Sequence, residues 1–237
     1  MSTELRVGHS HASLADDRTL SSLYVDPLVT MLEHLNANTA SVSPNGIFEV
    51  DPNQTVTLLL DFKTNGTEVW PLVNAALEPL RRNNWLRHWD GASNAVVPGP
   101  ITVVATGHAP FELVTANQTY RDIFFDAPLG ELASGLYDST NSYYASASIT
   151  KAIGRTWLGY FSKSQVDMLG SQVAQAQAKD LVSRYWDTPA WPVSARDRVW
   201  DVLVSSGVGM LNVDDLSGAA RWNWDWCVVA GMSLCGW

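Results

Sequence analysis

Short apolar runs that each stop at a polar residue are the feature that most restricts how this chain can fold. The first reads VTLLLDF at residues 56–62 and is followed by Lys63 and an Asn-Gly turn. Side chains alternate between two faces of an extended strand, so one face of this run is entirely apolar. The other face changes from apolar to ionic at Asp61 and Lys63. The run therefore predicts a buried strand whose carboxyl end carries an acid and a base side by side.

Helix-like segments separate the apolar runs along the rest of the chain. Further strands are predicted at 101–106, 122–126, 182–187 and 209–213, with 142–150 as a weaker candidate. Apolar residues recur at helical spacing in 68–82, 165–179 and 194–206. We expect Pro79 to kink or end the first helix, and Ser194 and Gly207 to bound the third. This alternation predicts an α/β protein with parallel, neighbouring strands in one sheet and right-handed crossovers.

Polar residues stand at or near the ends of these predicted strands. They are Asp61, Thr106, Asp126, Asp187 and Asp214. In parallel α/β folds the carboxyl ends of the strands are where ligands bind. Aspartate is also common after a strand as a turn residue or helix N-cap, and that reading is favoured for most of them. Asp61 differs from the others because Lys63 shares its face of the strand.

Composition and motifs exclude several functional classes. The formal net charge is −9 and the isoelectric point is about 4.9, which argues against a nucleic-acid partner. No apolar run of 18 residues and no apolar leader at the N-terminus occur, so neither a transmembrane segment nor a signal peptide is predicted. Glycine-rich phosphate loops and the G-x-S-x-G motif of esterases are absent as well. Carboxylates, histidine and lysine at the strand ends are the remaining candidates for chemistry.

Seven longer stretches together resemble a known family. They read RTLSSLYVDPLVTML, TVTLLLDFKTNG, ITVVATGHAPFELV, DIFFDAPL, SYYASAS, RYWDTPAWP and GVGMLNVDDL. They look like the fungal PLC-like phosphodiesterases, and more narrowly the altered inheritance of mitochondria protein 6 group, which is related to glycerophosphodiester phosphodiesterases. The resemblance implies a TIM-type (β/α) barrel over residues 1–220, with a divalent metal at the mouth of the barrel. It also implies phospholipid-like or glycerophosphodiester substrates and phosphoric diester hydrolysis.

The resemblance carries site roles onto individual residues. Asp61 matches a carboxylate ligand for Mg²⁺ or Ca²⁺, which both prefer oxygen, and Lys63 matches a lysine that stabilises the charge of the phosphodiester. His9 matches the second of two catalytic histidines, with His11 as a competing assignment. Trp186 and Asp214 match late-strand positions for substrate binding, where core packing and turn formation are the alternative readings.

The sequence also departs from the family pattern. The first catalytic histidine and a metal-binding Glu-x-Asp pair belong on earlier strands, and only eight residues precede His9. We therefore expect an N-terminally truncated barrel, weak metal binding and impaired catalysis. The alternative is a non-catalytic barrel remnant that serves as a binding or interaction protein. A Trp-rich tail at 221–237 does not resemble the family. Oligomeric state stays open, and a secretory or membrane-associated location would require a further N-terminal segment.

Overall fold

A computed structural model describes residues 4–37, 43–221, 228–229 and 232–233. The chain divides into two compact units, Met1–Asp126 with Ser139–Tyr143 and Ala127–Asp138 with Tyr144–Trp237. The strands are β1 (Val56–Phe62), β2 (His88–Asp90), β3 (Ala95–Val97), β4 (Ile101–Gly107), β5 (Tyr120–Arg121), β6 (Ile123–Pro128), β7 (Ser142–Ser148), β8 (Val182–Trp186), β9 (Met210–Leu211), β10 (Val228–Val229) and β11 (Met232–Ser233).

Helices connect most of these strands, as the sequence predicts. They are α1 (Asp26–Asn36), α2 (Gly66–Ala76), α3 (Glu78–Arg82), α4 (Phe111–Thr115), α5 (Ile149–Ile153), α6 (Lys163–Gln177), α7 (Val193–Ser205) and α8 (Leu216–Arg221). The fold is therefore mixed α/β, which confirms the predicted class. In the described part of the chain, no helix is long and apolar enough to cross a membrane.

Parallel strands form the centre of the first unit. β4 pairs in parallel with β1 on one side and with β6 on the other. The apolar face of β1, including Leu58 and Phe62, packs into a core with Leu32 of α1 and Val73 of α2. The opposite face of these strands carries Asp61, because its side chain alternates with those of Leu60 and Phe62. A separate antiparallel sheet of β3, β2 and β5 belongs to the same unit.

A partly buried ion pair joins α3 to the start of β6. Arg81 donates from Nε and Nη2 to the carboxylate of Asp122, at 2.5 and 3.2 Å. Burial acts to lower the pKa of Arg81, but the hydrogen bonds and charges of Asp122 and Glu78 together outweigh it, so the pKa of Arg81 is raised. Arg81 is therefore held as a cation, and the pair fixes the entry of β6 into the sheet.

The second unit repeats the parallel arrangement. β8 pairs in parallel with β7 and β9, so the weaker strand candidate at 142–150 is a full partner of β8. Helix α6 covers this sheet, and the hydroxyl of Tyr185 donates to Gln172 of that helix at 2.8 Å. Trp200 of α7 is fully buried and contributes to the core of the unit. β9 is shorter than the predicted strand at 209–213, with only two residues.

Helix boundaries show where sequence reasoning succeeded and failed. The predicted helix at 68–82 divides into α2 and α3 just before Pro79, as expected for a proline that breaks a helix. The prediction that Ser194 caps α7 is wrong, since the N-cap is Pro192. Gly207 ends that helix with a φ of +74°, which confirms its predicted role. Most of the predicted tail at 221–237 lies outside the described residues, although β10 and β11 pair there in antiparallel.

Candidate active site

Asp61 and Lys63 form an ion pair at the carboxyl end of β1. Lys63 Nζ lies 2.5 Å from Asp61 Oδ2, and the side chains are 56% and 45% exposed. An ion pair this exposed contributes little to stability, on the order of 1 kcal/mol or less. Its place on the sheet face opposite the helices, rather than any effect on folding, singles it out as a candidate site.

Two polar residues continue this face across the neighbouring strands. Thr106 is the register partner of Asp61 on β4, and its hydroxyl donates to Asp126 Oδ2 of β6 at 2.7 Å. Three adjacent parallel strands thus present Asp61, Thr106 and Asp126 at their carboxyl ends. This is the edge of a parallel sheet at which ligands bind.

Gly107 allows the ends of β1 and β4 to come together. It has a φ of +69°, and a Cβ atom placed there would lie 2.4 Å from Asp61 Oδ1 and 2.7 Å from the carbonyl oxygen of Phe62. The next residue, His108, donates its backbone N–H to that same carbonyl at 2.8 Å. Gly66, the first residue of α2, approaches the carbonyl of His108 equally closely. The two loops therefore hold His108 beside the strand end that carries Asp61.

His9 lies in the same unit, on an exposed loop near the N-terminus. The chain on either side is anchored, because Val7 donates its N–H to Arg18 and Leu20 donates to Leu5, both at 2.8 Å. Within the described residues, no hydrogen bond or ion pair joins His9 to Asp61 or Lys63. The structure thus brings together Asp61 and Lys63 but does not pair His9 with them.

The second unit contains the other two predicted residues. Trp186 ends β8 and is 40% exposed, while Asp214 is exposed in the loop after β9. The neighbouring Asp215 has the structural part in that loop, since it accepts from Arg196 at 2.7 Å and from the N–H of Gly218 at 2.8 Å. In the loop after β9, Asp215 is therefore the residue that stabilises the turn.

A divalent cation does not fit the side chains that the structure brings together. Among the residues described, no group of three or more His, Cys, Asp or Glu side chains could hold a metal ion. The Asp61 carboxylate is also already engaged by Lys63. Ca²⁺ takes six to eight oxygen ligands, and Mg²⁺ is bound through one or two carboxylates together with waters and substrate phosphates.

Sequence reasoning missed two groups near the strand ends. In the sequence, nothing marks His108 as a site residue except that it follows Gly107 at the end of an apolar run. In the second unit, Arg184 of β8 donates from Nε and Nη2 to Asn212 Oδ1 at 3.1 and 2.7 Å. The arginine inside the run VSRYW could have indicated such a partner, because a strand interior rarely carries a cation without one.

Together, the parallel strands and the acid–lysine pair at the carboxyl end of β1 form an α/β domain with a polar site at one edge of its sheet. A family model described as the AIM6-like phosphodiesterase domain matches residues 1–126. The altered inheritance of mitochondria protein 6 homolog of Arthroderma benhamiae is 35% identical over 91% of this chain and 69% of its own length. The chain belongs to this family, which confirms the resemblance.

Two further relatives are similar over the same extent of the chain. Altered inheritance of mitochondria protein 6 of Eremothecium gossypii is 34% identical over 92% of this chain. The protein of that name from Lachancea thermotolerans is 33% identical over 90%. The chain spans only 60% and 56% of the lengths of these two relatives. No solved structure matches it significantly.

Proposed function

We propose that this chain binds a phosphodiester of the phospholipid-like or glycerophosphodiester class at the carboxyl end of β1, within a fold related to the TIM-type barrel. The observation that carries the proposal is the Asp61–Lys63 pair on the sheet face opposite the helices. The phosphodiesterase family of the chain supports the substrate class.

Lys63 is the proposed anchor for the phosphodiester. Its side chain is more than half exposed, so an incoming phosphate oxygen can reach it without rearranging the core. A lysine presents a compact charge to phosphate, and charge-assisted hydrogen bonds are about twice as strong as neutral ones. Asp61 holds the lysine in place until the ligand arrives. His9 is the proposed proton-transfer residue. In the second unit, Trp186 and Asp214 keep their proposed role in substrate binding.

We expect Mg²⁺ or Ca²⁺ to bind only weakly to this chain. Calorimetry should show at best millimolar affinity, abolished by Asp61→Ala, because a single carboxylate supplies too few ligands. Lys63→Met should strengthen binding, since the competing ammonium group is removed from Asp61. Micromolar binding that survives Asp61→Ala would show that other ligands form the site.

A non-catalytic role is the second candidate. The absence, within the described residues, of a three-ligand metal group favours a domain that binds its ligand without turning it over. In both candidate functions Lys63 anchors the phosphodiester. They differ only in whether the bound phosphodiester is hydrolysed. A binding measurement therefore tests the common proposal, and a turnover measurement separates the two.

The binding test uses glycerophosphocholine and the 237-residue chain. Lys63→Met should lower the affinity at least about tenfold, since a hydrogen bond to a charged group contributes about 1.5–3 kcal/mol and about 1.4 kcal/mol is tenfold. Circular dichroism should show unchanged folding, because the lysine is exposed. Lys179→Met, which removes a lysine in the second unit, is the matched control and should bind normally. Equal affinities for the two variants would contradict the proposed site.

A further inference from the structure

We infer that an exposed aromatic surface on the second unit docks onto a phospholipid bilayer. This surface, the aromatic patch, consists of Trp157, Leu158, Tyr160, Trp191 and Val193. Trp157 and Trp191 are each 79% exposed. The inference adds a docking surface to the proposed function and does not depend on the Asp61–Lys63 site.

The patch is a fixed structure formed by two chain segments. The turn at Trp157–Tyr160 closes with a hydrogen bond from the N–H of Tyr160 to the carbonyl of Trp157, at 2.9 Å. Arg198 of α7 donates from Nε and Nη2 to the carbonyl of Leu158 and lies 4.4 Å from the centroid of the Tyr160 ring. These contacts hold the turn on the helix that begins just after Trp191.

Close packing at the tip of the turn confirms the contact between the segments. Gly159 has a φ of +79°, and a Cβ atom there would lie 2.4 Å from the carbonyl oxygen of Ala195. The turn therefore lies directly on the first turns of α7. A cavity of about 460 Å³ also lies between the segments, lined by Arg155 and Thr156 from one and by Thr188, Pro189 and Ala190 from the other. Asp187 and Thr150 line the same cavity.

The exposure of these side chains requires an explanation. Among the described residues, the exposed tryptophans are Trp157 and Trp191 of the patch and Trp186 at the end of β8. Contiguous exposed apolar surface marks a site of interaction. Tryptophan and tyrosine have an apolar body with a polar edge, and they concentrate at the level of lipid headgroups.

The stretch that contains the first segment of the patch is basic although the chain is acidic, whereas residues 186–201 around the second segment contain three acids and two arginines. The chain carries a net charge of −9, yet residues 139–166 contain Lys151, Arg155 and Lys163 and no acidic residue. Lys151, Arg155 and Lys163 are exposed. Basic residues beside an apolar surface complement the anionic headgroups of a bilayer. The local charge therefore favours an anionic lipid surface as the partner.

A bilayer explains the shape of the patch better than a protein partner does. Hot spots of protein interfaces lie in well-packed pockets at the centre of a contact surface. Here the aromatic side chains stand at a tight turn and at a helix start, and the two largest are mostly exposed. Protruding aromatic groups can enter the headgroup layer without a complementary pocket.

Vesicle sedimentation tests the inference with the 237-residue chain. We expect the chain to sediment with vesicles of 70% phosphatidylcholine and 30% phosphatidylserine, and more weakly with pure phosphatidylcholine. The double variant Trp157→Ala/Trp191→Ala should lower the partition coefficient at least about tenfold, because each indole transfers apolar area from water. Lys151→Ser/Arg155→Ser should lower binding to the anionic vesicles by about fivefold per residue.

Two exposed aromatic residues outside the patch provide the matched control. Tyr24→Ala/Phe48→Ala removes aromatic rings of 44% and 45% exposure from the first unit and should sediment like the parent chain. The inference is overturned if the parent chain sediments with neither type of vesicle, or if the Trp157→Ala/Trp191→Ala variant sediments with vesicles as much as the parent chain does. It is also overturned if ultracentrifugation shows that the patch joins two copies of the chain and no vesicle binding occurs.

Discussion

Gly107→Ala is expected to destabilise the protein by about 3 kcal/mol and to disturb the Asp61 site at the same time. An alanine at a left-handed φ costs roughly 1–2 kcal/mol by itself. Here the added methyl group would also lie 2.4 Å from Asp61 Oδ1 and 2.7 Å from the carbonyl oxygen of Phe62. The carbonyl belongs to β1 and cannot move without breaking strand pairing, so the steric cost adds to the strain.

Gly135→Ala is the matched control for this prediction. Gly135 has a similar φ of +76°, but a Cβ atom there would have nothing within 4 Å. Urea denaturation should therefore show a loss of about 1 kcal/mol for Gly135→Ala and roughly three times that for Gly107→Ala. Equal losses would mean that the close approach of β1 and β4 at Gly107 is not as described.

The strands were predictable because their signal is local. Runs such as ITVVATG consist of β-branched and small apolar residues that stop at glycine, and the run becomes β4. The Asp61–Lys63 pair was predictable for the same reason, since residues two apart share a face of a strand. The prediction for Ser194 failed because its residue type suits an N-cap, whereas α7 begins at Val193 with Pro192 as its N-cap.

The surroundings of Asp61 and the aromatic patch depend on contacts between segments that are distant in the sequence. A local sequence pattern cannot predict such contacts. His108 reaches the end of β1 because Gly66 and Gly107 lack side chains at two close approaches. The aromatic patch arises because Arg198 binds a turn that lies 40 residues earlier in the chain. Both arrangements follow from tertiary packing, so the sequence shows their residues without showing their neighbours.

We expect the 237-residue chain to bind a phosphodiester without measurable turnover. Phosphodiester cleavage normally divides proton transfer between two groups, one that activates the nucleophile and one that protonates the leaving oxygen. His9 is the matched residue, but in the described structure it lies on an exposed loop and makes no hydrogen bond or ion pair with Asp61 or Lys63. A misplacement of about 1 Å can cost on the order of a hundredfold in rate.

The assay should follow release of choline or glycerol from glycerophosphocholine, and of choline or monoacylglycerol from lysophosphatidylcholine. It should be run with millimolar Mg²⁺ or Ca²⁺ and with chelator. Equal background rates under all conditions are the expected result. Robust metal-dependent hydrolysis that is lost in His9→Ala would contradict the prediction of impaired catalysis and establish His9 as a proton-transfer residue. Hydrolysis that survives His9→Ala but is lost in His108→Ala would instead assign that role to the histidine beside Asp61. Either result would reject the non-catalytic candidate, because a metal-dependent rate requires ligands and an acid–base group that act together in this chain.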